Sequence, residues 1–312
     1  MNVLVTGGAG FIGRWVVKKL LSENVNVWVL DNLSNGSEQN LVEFDQINNY
    51  QGLTIGDISD ISCVERVFKT QFDVCIHTAA QINVQESLDN PHKSFRVNMV
   101  GTYNVLSCAL KSKTKVILIG TCMVYDMATS DGISELSSVK PASPYSGSKL
   151  AAEELALSYY YGFGLPVTVL RPFNTYGPFQ KTNMEGGVVS IFVQNHIAGE
   201  NLKVFGDGTQ TRDLLYVEDC AEFIVRAAFS ENSAGEVINA GTGRDISIND
   251  LALLICRDLN RIEHVKHHHP QSEIQKLLGS FSKAQKLLGW KPKTPLEEGI
   301  AKTEQWIKTD YS

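Results

Sequence analysis

Tyr145 and Lys149 stand four residues apart in Tyr145-Ser-Gly-Ser-Lys149, so a helix there carries a phenol and an ammonium on one face. Such a pair is the equipment of a proton-transfer site. With ten tyrosines and 28 Lys plus Arg among 312 residues, about one such pair is expected by chance, so spacing alone does not single it out. Its weight comes from Thr121, which directly follows the apolar run Lys115-Val-Ile-Leu-Ile-Gly120 and falls at the carboxyl end of the fifth predicted strand. Open α/β sheets bind ligands at that end. A phenol with its ordinary pKa near 10 is about three units too weak a base at neutral pH, a deficit of roughly 4 kcal/mol. A neighbouring cation such as Lys149 offsets it by favouring the phenolate, and Thr121 is placed to hydrogen-bond a reacting hydroxyl. Without a partner for the electrons, the plainer reading is an exposed Tyr–Lys pair on a helix.

That partner is indicated at the start of the chain. Val3-Leu-Val-Thr-Gly7-Gly8-Ala9-Gly10-Phe11-Ile12-Gly13 places glycines at the turn from the first strand to the first helix, where backbone must approach a pyrophosphate closely. The next strand ends in Asp31, 18 residues after Gly13, where a carboxylate accepts the hydroxyls of an adenosine ribose. Phe11, Ile12 and Asn32 lie in the same two turns and are counted with the cofactor site. No Lys or Arg occurs in Asn32-Leu33-Ser34-Asn35-Gly36 to hold a 2′-phosphate, which Asp31 would repel, so NAD is expected rather than NADP. The positive nicotinamide would then add to the effect of Lys149. Asp57-Ile58 follows the third strand and borders the adenine in this reading, although an acid there serves equally as a turn former.

The elements needed to position these groups recur along the first half. Short runs rich in Val and Ile (Val3 to Val5, Val25 to Leu30, Leu53 to Ile55, Val74 to Ile76, Val116 to Ile119, Val167 to Leu170) alternate with amphipathic stretches such as Ile12 to Leu21, Val64 to Phe68 and Phe95 to Leu110. An α/β fold with a doubly wound parallel sheet of the Rossmann kind is expected. The alternation weakens after Leu170. We therefore expect a dinucleotide domain over 1–171, with later segments near 210–245 returning to it, and a smaller, partly interleaved substrate domain over 172–312. At 312 residues the chain is long enough for this, and a net charge of -6 with 20% charged residues argues against disorder and against nucleic-acid binding. The six cysteines are dispersed with no Cys-x-x-Cys pair, so neither a zinc site nor a disulfide framework is suggested. No apolar run nears the roughly 18 residues of a membrane helix and Met1 leads directly into a strand, from which a cytoplasmic protein without membrane association is expected.

Taken in order, these motifs resemble the extended short-chain dehydrogenase/reductases that modify nucleotide sugars, of the UDP-galactose 4-epimerase type. The likeness runs through His77-Thr-Ala-Ala80, Asn98-Met-Val-Gly-Thr102, Val124-Tyr125, Pro144-Tyr145-Ser-Gly-Ser-Lys149, Arg171-Pro-Phe-Asn174-Thr-Tyr-Gly-Pro178, Phe205-Gly-Asp-Gly208, Arg212-Asp-Leu-Leu-Tyr-Val-Glu-Asp219 and Leu287-Leu-Gly-Trp290. It implies that Ala79 and Ala80 line the dinucleotide, that Asn98 supports the strand ends beside it, and that Tyr145 and Lys149 contact the nicotinamide ribose. It also implies that Asn174 meets the substrate diphosphate, that Val188 and Phe205 border the base, and that Arg212 pairs with a phosphate. Plainer readings stand beside these: an Arg212 ion pair with Asp213 or Glu218, a turn cap for Asn174, and a core position for Phe205. The helices over Phe95 to Leu110 and Lys149 to Tyr161 would form a homodimer interface in such a family, although core burial explains their apolar faces almost as well.

Two departures bear on the reaction. Sugar dehydratases of this type carry Thr-Asp-Glu before the Val-Tyr pair, because elimination of water needs an acid and a base besides the tyrosine; decarboxylases often place Glu where Met123 sits. This chain has Thr121-Cys122-Met123. An epimerase acting at carbon 4 of a nucleotide-linked hexose or hexuronic acid needs only Thr121, Tyr145, Lys149 and retained NAD. A 4,6-dehydratase or decarboxylase drawing its acid from elsewhere, for example Glu185, is the alternative; a keto-sugar reductase and a non-catalytic NAD sensor are further ones. The second departure is His264-Val-Lys-His267-His268-His269-Pro270, where relatives often carry an Arg for the phosphates. His269 takes that position in this reading, and an imidazole mostly neutral at pH 7 would make phosphate binding pH-sensitive. Metal binding is not expected of the histidine run, which lacks an acidic or Cys partner.

Overall fold

A computed structural model describes residues 1–128, 132–183, 187–267 and 273–310. Its centre is a seven-stranded parallel sheet: β1 (Asn2–Thr6), β2 (Asn26–Asp31), β3 (Tyr50–Ile55), β4 (Val74–His77), β5 (Lys115–Ile119), β6 (Val167–Pro172) and β7 (Val237–Ala240). The order across the sheet is β7-β6-β5-β4-β1-β2-β3. The chain therefore winds outward in one direction from β1 to β3 and in the other from β4 onward, which opens a crevice beyond the carboxyl ends of β1 and β4. β1, β4, β5 and β6 are buried on both faces over nearly their whole length, as their uninterrupted Val, Ile and Leu runs require.

One face of the sheet is covered by the helices Phe11–Ser22 and Val217–Phe229, with Val16, Leu20, Phe223 and Ile224 in a common core. The other face is covered by Ile61–Val67, Thr102–Ser112 and the long helix Pro144–Phe163. The amphipathic stretch expected from Phe95 is not one regular helix. Phe95–Gly101 forms a π-helical turn ahead of Thr102–Ser112, and the wider turn carries the buried Asn98.

A second core gathers Tyr176, Val189, Phe192, Leu202, Leu214, Tyr216, Ile248 and Leu251 beneath the helices Val188–Ile197, Ile248–Cys256 and Leu296–Asp310. Three small sheets frame it: Asn174–Tyr176 beside Leu214–Tyr216, Leu202–Phe205 beside Ile262–Val265, and Thr211–Arg212 between Ile246–Ser247 and Lys276–Leu277. Among the described residues no helix is long and apolar enough to cross a membrane.

Candidate active site

A cavity of about 1100 Å³ lies along the carboxyl ends of β1 through β6 and reaches beneath the second core. Its deep end is the glycine turn. Gly7 has φ +73°, and a Cβ there would stand 2.6 Å from the backbone nitrogen of Ala79; a Cβ on Gly13 would overlap the carbonyl oxygen of Gly7. No side chain larger than hydrogen fits either position. The helix that follows begins after Gly10 without a side-chain cap, so its first N–H groups are left for an anion. Asp31 is buried and its carboxylate is held by the turn itself: Ala9 N–H donates to Oδ2 at 3.0 Å and Leu33 N–H to Oδ1 at 2.8 Å. Burial pushes the carboxyl up, and these two donors oppose the shift. The segment after Asp31 folds back over the turn, with Ser37 N–H and Asn40 Nδ2 both donating to Ala9 O. Gly7, Gly10, Phe11, Ile12, Gly13, Asp31, Asn32, Ile58, Ala79 and Ala80 all line the cavity. This cradle fits a dinucleotide: close backbone, an open helix start, and a fixed carboxylate at the end of the neighbouring strand.

Asp57 is not in the cavity wall. It accepts from Ser59 N–H at 2.8 Å, Ser59 Oγ at 2.7 Å and Asn32 Nδ2 at 3.1 Å, so it acts as a turn former that ties the second and third strand ends together. Asn98 stands behind the wall: its Oδ1 accepts from Gln81 N–H, and its Nδ2 donates to Gln81 O and to Ser148 Oγ. Through Ser148 it joins the segment after β4 to the helix that bears Tyr145.

That helix starts sharply. Ser143 caps it in a reciprocal arrangement with Ser146, Pro144 occupies the first turn, and Tyr145 and Lys149 follow on the face toward β5. Both are buried and line the cavity with Thr121. Thr121 Oγ1 accepts from Met123 N–H at 3.2 Å, which leaves its own proton to donate, and it hydrogen-bonds Tyr145. Burial pushes the phenol up to about 12, with Thr121 opposing. Lys149 donates from Nζ to Ile119 O at 2.5 Å, and burial pushes it down to about 8. In the protein alone burial outweighs Thr121 at Tyr145; the shift toward phenolate expected from the sequence rests on Lys149 and the positive nicotinamide together. His77, deep under the site between Thr6 Oγ1 at 2.6 Å and Thr102 Oγ1 at 3.1 Å, is driven by burial down to about 3 and is neutral.

At the outer end, Asn174 and Val188 line the cavity, and Asn174 Oδ1 lies 3.7 Å from Cys122 Sγ. Burial pushes the Cys122 thiol up to about 12, so it offers no acid in place of the missing carboxyl groups. Phe205 and Arg212 are not brought to this wall. Phe205 is 39% exposed, against the core reading, and meets the His267 ring edge-on with ring centres 6.2 Å apart. Arg212 pairs with Glu273, not with Asp213 or Glu218, and donates from Nη1 to Thr211 O and Ile274 O. Glu273 also takes a 2.9 Å contact from His267 Nε2. Asp213 is engaged instead by the N–H groups of Thr242, Gly243 and Gly279. His269 and Glu185 lie outside the described residues.

With this geometry in view, comparison with known proteins decides the family. The model of the NAD dependent epimerase/dehydratase family matches residues 3–241. The chain belongs to that family. A putative UDP-glucose 4-epimerase of Methanocaldococcus jannaschii is 35% identical over 99% of both chains. Among solved structures, Pal from Bacillus thuringiensis is 56% identical over 99% of both chains with a TM-score of 0.98. DesIV, a dTDP-glucose 4,6-dehydratase from Streptomyces venezuelae with NAD bound, is 28% identical over 99% of this chain and 98% of its own, with a TM-score of 0.93. Relatives therefore include epimerases and dehydratases on one fold. This family member is an NAD-dependent enzyme.

Sequence reasoning passed over one residue of the wall, Arg14, and a buried pair behind it, Glu153 and Arg171. Arg14, 1% exposed, lies with its guanidinium 3.8 Å from the ring centre of Phe179, donates to Asn40 O and pairs with Glu43. Its signal was a charge on the buried stripe of the first helix. Glu153 and Arg171 form a buried pair, with Arg171 donating to Glu153 Oε2 from Nε at 2.9 Å and from Nη2 at 2.6 Å. Glu153 is one helical turn beyond Lys149, so the spacing that joined Tyr145 to Lys149 also pointed to it.

Proposed function

We propose that this enzyme inverts carbon 4 of a nucleotide-linked hexose or hexuronic acid through a transient 4-keto sugar. The observation that carries the reading is the combination of Thr121, Tyr145 and Lys149 in one buried cavity wall with Cys122 and Met123 where elimination would need carboxyl groups. Bound NAD supplies a reversible hydride acceptor and a positively charged ring. The Tyr145 oxygen takes the proton of the sugar hydroxyl, Thr121 hydrogen-bonds that oxygen, and the Lys149 ammonium favours the phenolate. Once the keto sugar has rotated within the cavity, the hydride would go back to the opposite face of carbon 4, and Tyr145 returns the proton to the carbon-4 oxygen. Asn174 is assigned to the diphosphate and Val188 to the base; Arg212, paired with Glu273 and outside the cavity wall, would reach a phosphate only by exchanging that partner. In the same reading the enzyme is a homodimer, supported by the exposed Phe95 and Tyr103 on one side-by-side helix segment and Tyr161 and Phe163 on the other.

Incubation with a panel of UDP-, dTDP-, GDP- and CDP-sugars, with products read by NMR, tests the proposal. A carbon-4 epimer is expected from at least one of them. Loss of water or carbon dioxide contradicts it and favours the lyase alternative.

A further inference from the structure

Glu153 is fully buried, and its place is specific. Lys149 Nζ donates to the carbonyl of Ile119, and Glu153 Oε1 packs against the next residue, Gly120, where any Cβ would collide with it. The two side chains, one helical turn apart, thus hold consecutive residues of the strand end that carries Thr121. Arg171, from β6, grips the far oxygen of Glu153 through two donors and lies 4.7 Å from the ring centre of Tyr125, whose Oη donates to Asn239 Oδ1 at 2.8 Å. The carboxylate is therefore fixed from behind while its other oxygen remains on the side of the catalytic strand end.

We propose that Glu153, anchored by Arg171, is a positioning residue that supplies the counter-charge for the Lys149 ammonium and holds the Gly120–Thr121 strand end in place. The inference rests on the role given to Lys149 above. Among the described residues the groups around Lys149 offer no other negative charge: Tyr145 precedes it on its own helix as a neutral phenol, His77 faces it from β4 as a neutral imidazole, and the Cys122 thiol beside Tyr145 is protonated. Arg171, behind Glu153 on β6, is a cation. Burial drives Lys149 down to about 8, and Glu153 opposes that shift. Without the carboxylate, Lys149 gives up its proton more readily and favours the Tyr145 phenolate less. A pair whose only purpose is packing would not need its carboxylate aligned with Lys149 along one helix face.

The test uses the holoenzyme with lysine labelled at its ε-carbon, the Lys149 signal being assigned by its loss in Lys149→Met. The wild-type signal should titrate near 8. In Glu153→Gln its midpoint should fall by about one unit or more, and the alkaline limb of the kcat profile should move down by the same amount. At pH 8 a one-unit fall lowers kcat by about fivefold with KM little changed. Because removing one member of a buried pair strands the other, Glu153→Leu combined with Arg171→Met removes both charges at similar volume and should show the same displaced midpoint. An unmoved midpoint and limb in either folded variant would leave Glu153 a packing residue and overturn the inference. Full activity of Lys149→Met would instead overturn the role of Lys149 itself, so the two failures are distinguishable.

Discussion

The dinucleotide end of the cavity and its nucleotide-sugar end are built on different principles. At the first, the ligand surface is mostly backbone: Gly7 and Gly13 admit no side chain, and the Asp31 carboxylate is oriented by Ala9 and Leu33 N–H groups within the same turns. At the second, the charged group assigned to the ligand is a long side chain already engaged. Arg212 is buried against two carbonyls and Glu273, and burial lowers it to about 10. A surface made of backbone is ready before binding, whereas one made of paired side chains must exchange partners. The cofactor end is therefore formed before binding, whereas Arg212 would have to leave Glu273 to meet a ligand.

The largest expected effect lies where the two ends meet. Tyr145→Phe should lower kcat by about 10² to 10⁴ while NAD remains bound, measured by turnover and by the dinucleotide content of the purified protein. Unchanged turnover would remove Tyr145 from the mechanism. Next, Asp31→Asn should weaken NAD binding by about 10- to 100-fold, since hydrogen bonds to a charged group contribute about 1.5–3 kcal/mol, and should narrow the preference over NADP. Calorimetry with both cofactors checks it.

At the other end, Arg212→Gln should weaken UDP binding by about tenfold and leave NAD affinity unchanged. If UDP binds equally well, Arg212 is a strut for the Glu273 segment and the contrast between the two ends disappears. The smallest effect concerns stability. His77 is neutral in the fold, with its pKa lowered to about 3, while the unfolded chain takes up a proton near 6.5. The unfolded state therefore gains protons first as pH falls, so each unit below 6.5 costs the fold about 1.4 kcal/mol at this residue. Denaturant midpoints at pH 7.5 and 5.5 should differ less for His77→Gln than for the wild type.

The sheet and the cofactor cradle were legible in the chain because local rules determine them. Runs of Val and Ile mark buried strands, and glycines at a strand–helix turn mark close approach, whatever the rest of the molecule does. Tyr145, Lys149 and Thr121 were legible once the strand ends were placed. What was not legible depends on pairings across long stretches of sequence. Arg212 has Asp213 and Glu218 for near neighbours, yet folding delivers Glu273, 61 residues away, and gives Asp213 to backbone donors instead. Asp57 accepts from Ser59, two residues on, a local pairing that the turn-former reading of Asp57-Ile-Ser59 already offered beside the adenine one. The acidity of Tyr145 also lay beyond the motif: the same burial that shields the site raises the phenol, so a neighbouring Lys alone does not decide its charge.

The central claim is tested most directly by a nucleotide sugar carrying deuterium at carbon 4, converted by the holoenzyme in ordinary water and examined by NMR. The account predicts a carbon-4 epimer with the label still at carbon 4, because the same two electrons return to the carbon they left. Label lost to water, or found at carbon 6 of a dehydrated product, would contradict it.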